Sequence, residues 1–135
     1  MSLNMPQFKR HFSLSEAREL LPTIRTQFAA VQALIVRIRE EQQQNHHVRL
    51  KVLRGNGKGP VLEGVSPLIA EVQTVIDEVV KLGVQIKNLE SGLIDFPHFL
   101  GGDECREVFL CYEMSEADIG YWHEIEDGYA GRRAL

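Results

Sequence analysis

The sequence predicts an α+β fold, a long antiparallel helical hairpin packed with a small antiparallel β-meander, and three observations carry that reading. Two stretches repeat apolar residues at alternating spacings of three and four, the mark of an amphipathic helix. After Gly83 the apolar period changes to two, as in half-buried strands. Between the helical stretches lie Gly55, Gly57, Gly59, Pro60 and Gly64, the composition of a connection. With 135 residues, 44% apolar and 25% charged, the chain has the size and make-up of one ordinary globular domain spanning 1–135.

The first helical stretch covers residues 12–43. Ser13 and Glu16 form an S-x-x-E capping box, each side chain satisfying a backbone N–H of the other. Pro22 then removes an i→i−4 bond, which predicts a kink near 22 or a short helix ending there, with Pro22 as the first residue of a restart. Ile24, Phe28, Val31, Ile35 and Ile38 follow at heptad spacing, leaving Arg25, Arg37, Arg39 and Glu40 to water. The polar run 40–47 ends the helix.

Residues 44–64 read as a long connection carrying Arg49, Lys51, Arg54 and Lys58. Val48, Leu50 and Val52 alternate with basic residues, a pattern that a short strand would also give. Gly55-Asn56-Gly57-Lys58-Gly59 suggests a phosphate cradle but fails the P-loop test. No Gly stands five residues before Gly57, and Lys58 is followed by Gly59 rather than Ser or Thr.

Ser66-Pro67 is the second helix start, a capping Ser followed by Pro at the first helical position. Across 65–82, Val65, Leu68, Val72, Val75, Val79 and Leu82 form the stripe, and Ile69, Ile76 and Val80 widen it. So wide a stripe calls for a second neighbour, either a sheet or another subunit. Gly83 before apolar Val84 resembles a left-handed C-cap. A three- or four-stranded meander then fills 84–125. Its strands are 84–87, 93–96, 106–114 and 119–125, with turns at Glu90-Ser91-Gly92 and Ser115 to Asp118. Residues 126–135 form a tail.

Composition narrows the function classes. No stretch approaches the ~20 apolar residues of a membrane span, and no apolar signal core follows the N-terminus. Cys105 and Cys111 fit neither a disulfide scaffold nor a C-x2-C zinc site. They read as reduced, half-buried thiols of a cytoplasmic protein, with a redox role as the rival. Charge is split: residues 1–60 carry ten Lys/Arg against four Glu, and residues 61–135 carry five against fifteen Asp/Glu. The halves can attract each other within a monomer or across a dimer. Nucleic-acid binding by the basic half would require one exposed stripe.

Several runs together resemble a known family. They are Leu82-Gly83-Val84 to Lys87, Gly92-Leu93-Ile94-Asp95-Phe96-Pro97, Arg106-Glu107-Val108, Tyr121-Trp122-His123-Glu124 and Gly128-Tyr129-Ala130-Gly131-Arg132. The family is the bacterial "domain of unknown function 2203", and the resemblance covers most of the chain from Phe12 onward. It implies no activity, cofactor or catalytic residue.

The candidate chemistry rests on the residues themselves. On a strand His123 and Glu124 face opposite ways, so a divalent metal on His123 would recruit distant ligands: Asp95, His98, Glu104 or Glu113, with Glu124 as a further candidate. Hard or borderline ions accept such an N/O set. The competing reading of His123 is a hydrogen-bonded ring at a sheet edge. Asp95 is either a general acid/base raised by burial or an acceptor that fixes the Phe96-Pro97 turn. Arg132 would clamp a carboxylate or phosphate, or tie the tail to the acidic half. Trp122 and Tyr121 would stack a ligand, or pack against their neighbours.

The expected role is a noncatalytic, cytoplasmic interaction module, homodimeric through the second helix and open to a protein partner. A metal-dependent enzyme with its site on the C-terminal sheet is the alternative. Nucleic-acid binding through the basic half is a weaker one.

Overall fold

The computed structural model describes residues 5–44, 49–54 and 59–135, and the fold is α+β. The elements in chain order are α1 (Leu14–Gln44), β1 (Leu50–Arg54), β2 (Pro60–Gly64), α2 (Pro67–Lys81), β3 (Gln85–Asn88), β4 (Leu93–Phe99), β5 (Glu107–Tyr112), β6 (Tyr121–Glu124) and β7 (Arg133–Ala134). One-turn 3-10 segments lie at Leu100–Gly102 and Tyr129–Gly131. The chain divides into two units, Pro22–Leu82 and the remainder on either side of it. No helix among the described residues is long and apolar enough to cross a membrane.

In the unit Pro22–Leu82 the heptad positions of α1 are the buried ones. Ile24, Phe28, Val31, Ile35 and Ile38 are all in the core. On α2 the buried stripe is Leu68, Ile69, Val72, Ile76 and Val79. Val65, expected to begin that stripe, is instead 68% exposed, because it precedes the Ser66 N-cap and so is not on the helix at all. Gln27 Nε2 donates to Glu78, and Ser66 Oγ donates to Glu41 at 2.7 Å. These two bonds join ascending α1 positions to descending α2 positions, so the helices run antiparallel.

The connection at 44–64 contains a β-hairpin, β1 and β2, with Leu53 opposite Val61 and Lys51 opposite Glu63. The alternation at Leu50 and Val52 is its one sequence signal. Its free edge on the β2 side is closed by a side chain. Leu62 N–H donates to Gln73 Oε1 of α2, and Gln73 Nε2 donates to Pro60 C=O. A primary amide has the same donor and acceptor as a backbone peptide, so Gln73 takes the place of a third strand. Val48 and the Gly55 to Lys58 part of the glycine-rich segment lie outside the described residues.

The other unit is a five-stranded antiparallel meander in the order β3-β4-β5-β6-β7, with the start of α1 and the N-terminal segment. Where a tail is expected, Tyr129–Gly131 turns the chain and β7 pairs with β6. That strand is two residues long, too short to show a period. α1 begins with the expected box, Ser13 N–H to Glu16 Oε1 and Glu16 N–H to Ser13 Oγ. The helix continues through Pro22 as one element, and the unit boundary falls there. Gly83 takes φ +98°, as the C-cap reading requires, and a Cβ there would meet the Arg10 side chain at 3.0 Å.

The central strand β5 is buried on both faces, from Val108 to Tyr112. Its partners define the faces. Asp95, Cys111 and Tyr121 form one cross-strand row, and Pro97, Phe109 and His123 form the next row on the same face. Ile94, Tyr112, Phe96, Leu110, Trp122, His98, Val108 and Glu124 belong to the opposite face.

Candidate metal centre

Strand pairing alone brings together three residues that stand 28, 16 and 12 positions apart in the chain. Asp95 on β4 is opposite Cys111 on β5, and His123 on β6 is one row further along the same face. Each offers one ligand atom, and the three atoms lie within 4.8 Å of one another. All three residues are buried, with Asp95 and Cys111 1% exposed and His123 2%.

The ring of His123 is oriented by both nitrogens. Nδ1 lies 2.7 Å from the Glu124 carbonyl oxygen, which can only accept, so Nδ1 carries a proton and donates. That bond turns Nε2 onto Asp95, 3.1 Å from each carboxylate oxygen. Phe109 closes one side of the ring edge-on, with centroids 5.5 Å apart. Burial works against a charged imidazole, but the Asp95 and Glu124 hydrogen bonds outweigh it and hold the pKa above its ordinary value. Burial, followed by the adjacent Asp95 charge and a hydrogen bond to it, pushes the Cys111 thiol up to about 12.

This arrangement does not suit nucleophilic catalysis. A Cys–His–Asp relay places the thiol and the acid on opposite nitrogens of the ring. Here one nitrogen is taken by a backbone carbonyl and the acid occupies the other. A thiol held near 12 is also a poor nucleophile at neutral pH.

It does suit a metal ion. A ligating histidine fixes its tautomer by donating its other N–H to a carbonyl or carboxylate, as His123 does. In a tetrahedral zinc site, bond lengths of about 2.0 Å to N or O and 2.3 Å to S set neighbouring donor atoms about 3.3–3.5 Å apart. The 3.1 Å between Nε2 and either Asp95 oxygen is close to that value. One N, one O and one S donor leave a fourth position open.

Two terminal segments lie on this face. From the N-terminal side, Phe8 contacts Phe109 with centroids 5.2 Å apart. Gln7 N–H, Phe8 N–H and His11 Nε2 all converge on the Glu107 carboxylate, at 2.8, 3.2 and 2.6 Å. His11 stacks on Phe99 at 3.8 Å. From the C-terminal side, Arg132 lies over the rings of Tyr121 and Tyr129, 4.1 and 4.6 Å from their centroids. Its Nη2 donates to Glu116 at 2.6 Å and to the Cys111 carbonyl at 3.3 Å.

Of the residues nominated from sequence, Asp95 and His123 meet. His98 and Glu124 do not join them, because strand parity puts both on the opposite face. His98 Nδ1 bonds the Phe12 carbonyl at 2.6 Å, and Glu124 is held by Arg106 through two bonds of 2.6 and 3.1 Å. Glu104 is exposed, and Glu113 accepts from Ser115. Trp122 points away from the cluster and is covered by Arg133, 5.2 Å from its ring. Cys111 is the residue the sequence reading passed over. The signal that could have found it is parity: with β4, β5 and β6 aligned, Cys111 falls on the face of Asp95 and His123.

A family model described as "Uncharacterized conserved protein (DUF2203)" matches residues 10–135. The chain belongs to this family. Among curated proteins and among solved structures, none matches it.

Proposed function

We propose that this DUF2203 member is a metal-binding protein that holds one thiophilic divalent ion on Asp95, Cys111 and His123, with zinc the best fit. The observation that carries the reading is the orientation of His123. Its Nδ1–H is spent on the Glu124 carbonyl, so Nε2 is aimed at a buried carboxylate beside a buried thiol. A thiolate in the set favours zinc, iron(II) or cobalt(II) over magnesium, calcium or manganese. On binding, the ion takes the place of the protons at Cys111 Sγ and His123 Nε2. Three protein ligands with a fourth position free is the pattern of sites where a metal acts as a Lewis acid on a bound ligand.

The test is metal content of untagged protein, with thermal shifts on adding zinc, cobalt or magnesium. One tightly held zinc per chain, lost in His123→Ala and in Cys111→Ser, supports the reading. Protein that holds no metal, and whose melting no thiophilic ion alters, ends it.

A second reading, an interaction module, is favoured by one observation. Val36, Val52, Leu53, Val61 and Val65 are between 38% and 68% exposed, and all belong to the unit Pro22–Leu82. The apolar stripe of α2, by contrast, is buried within the single chain, so a homodimer would use the hairpin rather than that stripe. Light scattering at micromolar concentration decides: a dimer broken by Leu53→Lys supports the module, and a monomer removes it.

A further inference from the structure

Resting on the metal reading above, we propose that the centre takes a small carboxylate as its fourth ligand, with one oxygen on the ion and the other on Arg132 Nε. The argument starts from an unused donor. The Arg132 side chain is nine-tenths buried, at 10% exposure, yet its Nε–H has no hydrogen-bond partner among the described residues. An orphaned buried N–H costs about 1–3 kcal/mol in other proteins, and more on a charged group. Such groups persist where a ligand supplies the acceptor.

Arg132 lies beside the residue that supplies the sulfur, with its Nη2 3.3 Å from the Cys111 carbonyl. The plane of the guanidinium is fixed by Tyr121 and Tyr129 and by the ion pair to Glu116. A donor held in this way meets its acceptor with little further ordering. Tyr121 and Tyr129 are themselves 39% and 50% exposed, so the buried guanidinium lies beneath two rings that reach the surface.

Charge selects the class of oxyanion. A divalent ion is balanced by the Asp95 carboxylate and the Cys111 thiolate, and Arg132 is balanced by Glu116. A monocarboxylate adds one negative charge to a neutral cluster, whereas a phosphate dianion adds two in a place where burial makes charge costly. The two oxygens of a carboxylate also match the two contacts that remain, one metal position and one N–H.

The experiment uses full-length protein loaded with cobalt(II), whose visible bands report coordination, titrated with acetate and separately with inorganic phosphate. We expect saturable band shifts with acetate and at least about tenfold weaker binding of phosphate. Arg132→Lys keeps the positive charge but removes the fork, and Tyr129→Leu loosens its position. Both should retain one cobalt per chain and bind acetate about tenfold more weakly, the loss set by one charge-assisted hydrogen bond. Acetate binding unchanged in Arg132→Lys, no response to acetate, or phosphate binding as tight as acetate each overturns the proposal while leaving the metal reading intact. Failure to bind cobalt at all removes both.

Discussion

His123 and Asp95 stabilise the fold only as a pair. A carboxylate 1% exposed is tolerable in the sheet because the imidazole bonds both of its oxygens. Removing one partner of a buried ion pair costs about 3–5 kcal/mol, since the other charge is left uncompensated. His123→Ala in the metal-free protein should therefore lose about that much, and adding Asp95→Ala should cost less than the sum of the two single losses. Urea denaturation of the two single variants and the double variant measures the coupling, and strict additivity would count against the pair. Cys111→Ser tests the third member. Serine keeps the shape but replaces a soft donor with a hard one, so zinc affinity should drop by more than the 10–100-fold typical of outer-shell partners. The thermal midpoint of the metal-free protein should hardly change. Asp95 and His123 were visible in the sequence because their residue types are suspicious wherever they fall. Cys111 was not. Its role depends on registers set by turns at both ends of β5, which no window along one strand contains.

At the scale of elements, three polar contacts of the N-terminal segment converge on one side chain. Glu107 accepts from Gln7, Phe8 and His11. Burial works against its charge, but the Gln7, His11 and Phe8 hydrogen bonds together hold its pKa below the ordinary carboxylate value. With the folded pKa below the unfolded one, the contribution is fully present above the unfolded pKa and is lost as pH falls through the folded value. Acid should thus release residues 5–11 only once the pH has fallen below the ordinary carboxylate range, and Glu107→Gln should release them at neutral pH with a loss of about 1–3 kcal/mol. Amide exchange at Gln7 and Phe8 reports the release, and protection that persists in the variant would contradict it. A second element prediction concerns Gln73, which stands in for a strand beside β2. Gln73→Ala should expose Leu62 N–H to exchange while leaving the α2 amides protected. Helices with five or more periodic apolar positions were legible, as was the strand pattern after Gly83. The β1–β2 hairpin was largely hidden because an amide side chain, not a strand with its own period, closes its edge. The continuation of α1 past Pro22 was hidden because a helix loses only local bonds at proline, and the buried residues from Ile24 to Ile38 outweigh that loss.

Across the whole molecule, metal binding and folding stability are linked. A ligand that binds only the native state adds about 2.7 kcal/mol at a hundredfold excess over its Kd. In a chain of this length that corresponds to a rise in Tm of several degrees. The protein carries its own reporter, because its one tryptophan, Trp122, is on β6 beside His123. Its fluorescence follows the unit that holds Asp95, Cys111 and His123. Far-ultraviolet circular dichroism follows mainly α1 and α2, most of whose length lies in Pro22–Leu82. Zinc should raise the fluorescence midpoint by several degrees, and His123→Ala should abolish the rise. Because α1 is one uninterrupted helix with residues in both units, the helical midpoint should rise with it by a similar amount. A helical midpoint that stays fixed while the fluorescence midpoint moves would show that the two units unfold separately, with the metal stabilising only the sheet. A fluorescence midpoint indifferent to zinc would remove the linkage itself, and the buried Asp95–His123 pair would then be a structural ion pair alone.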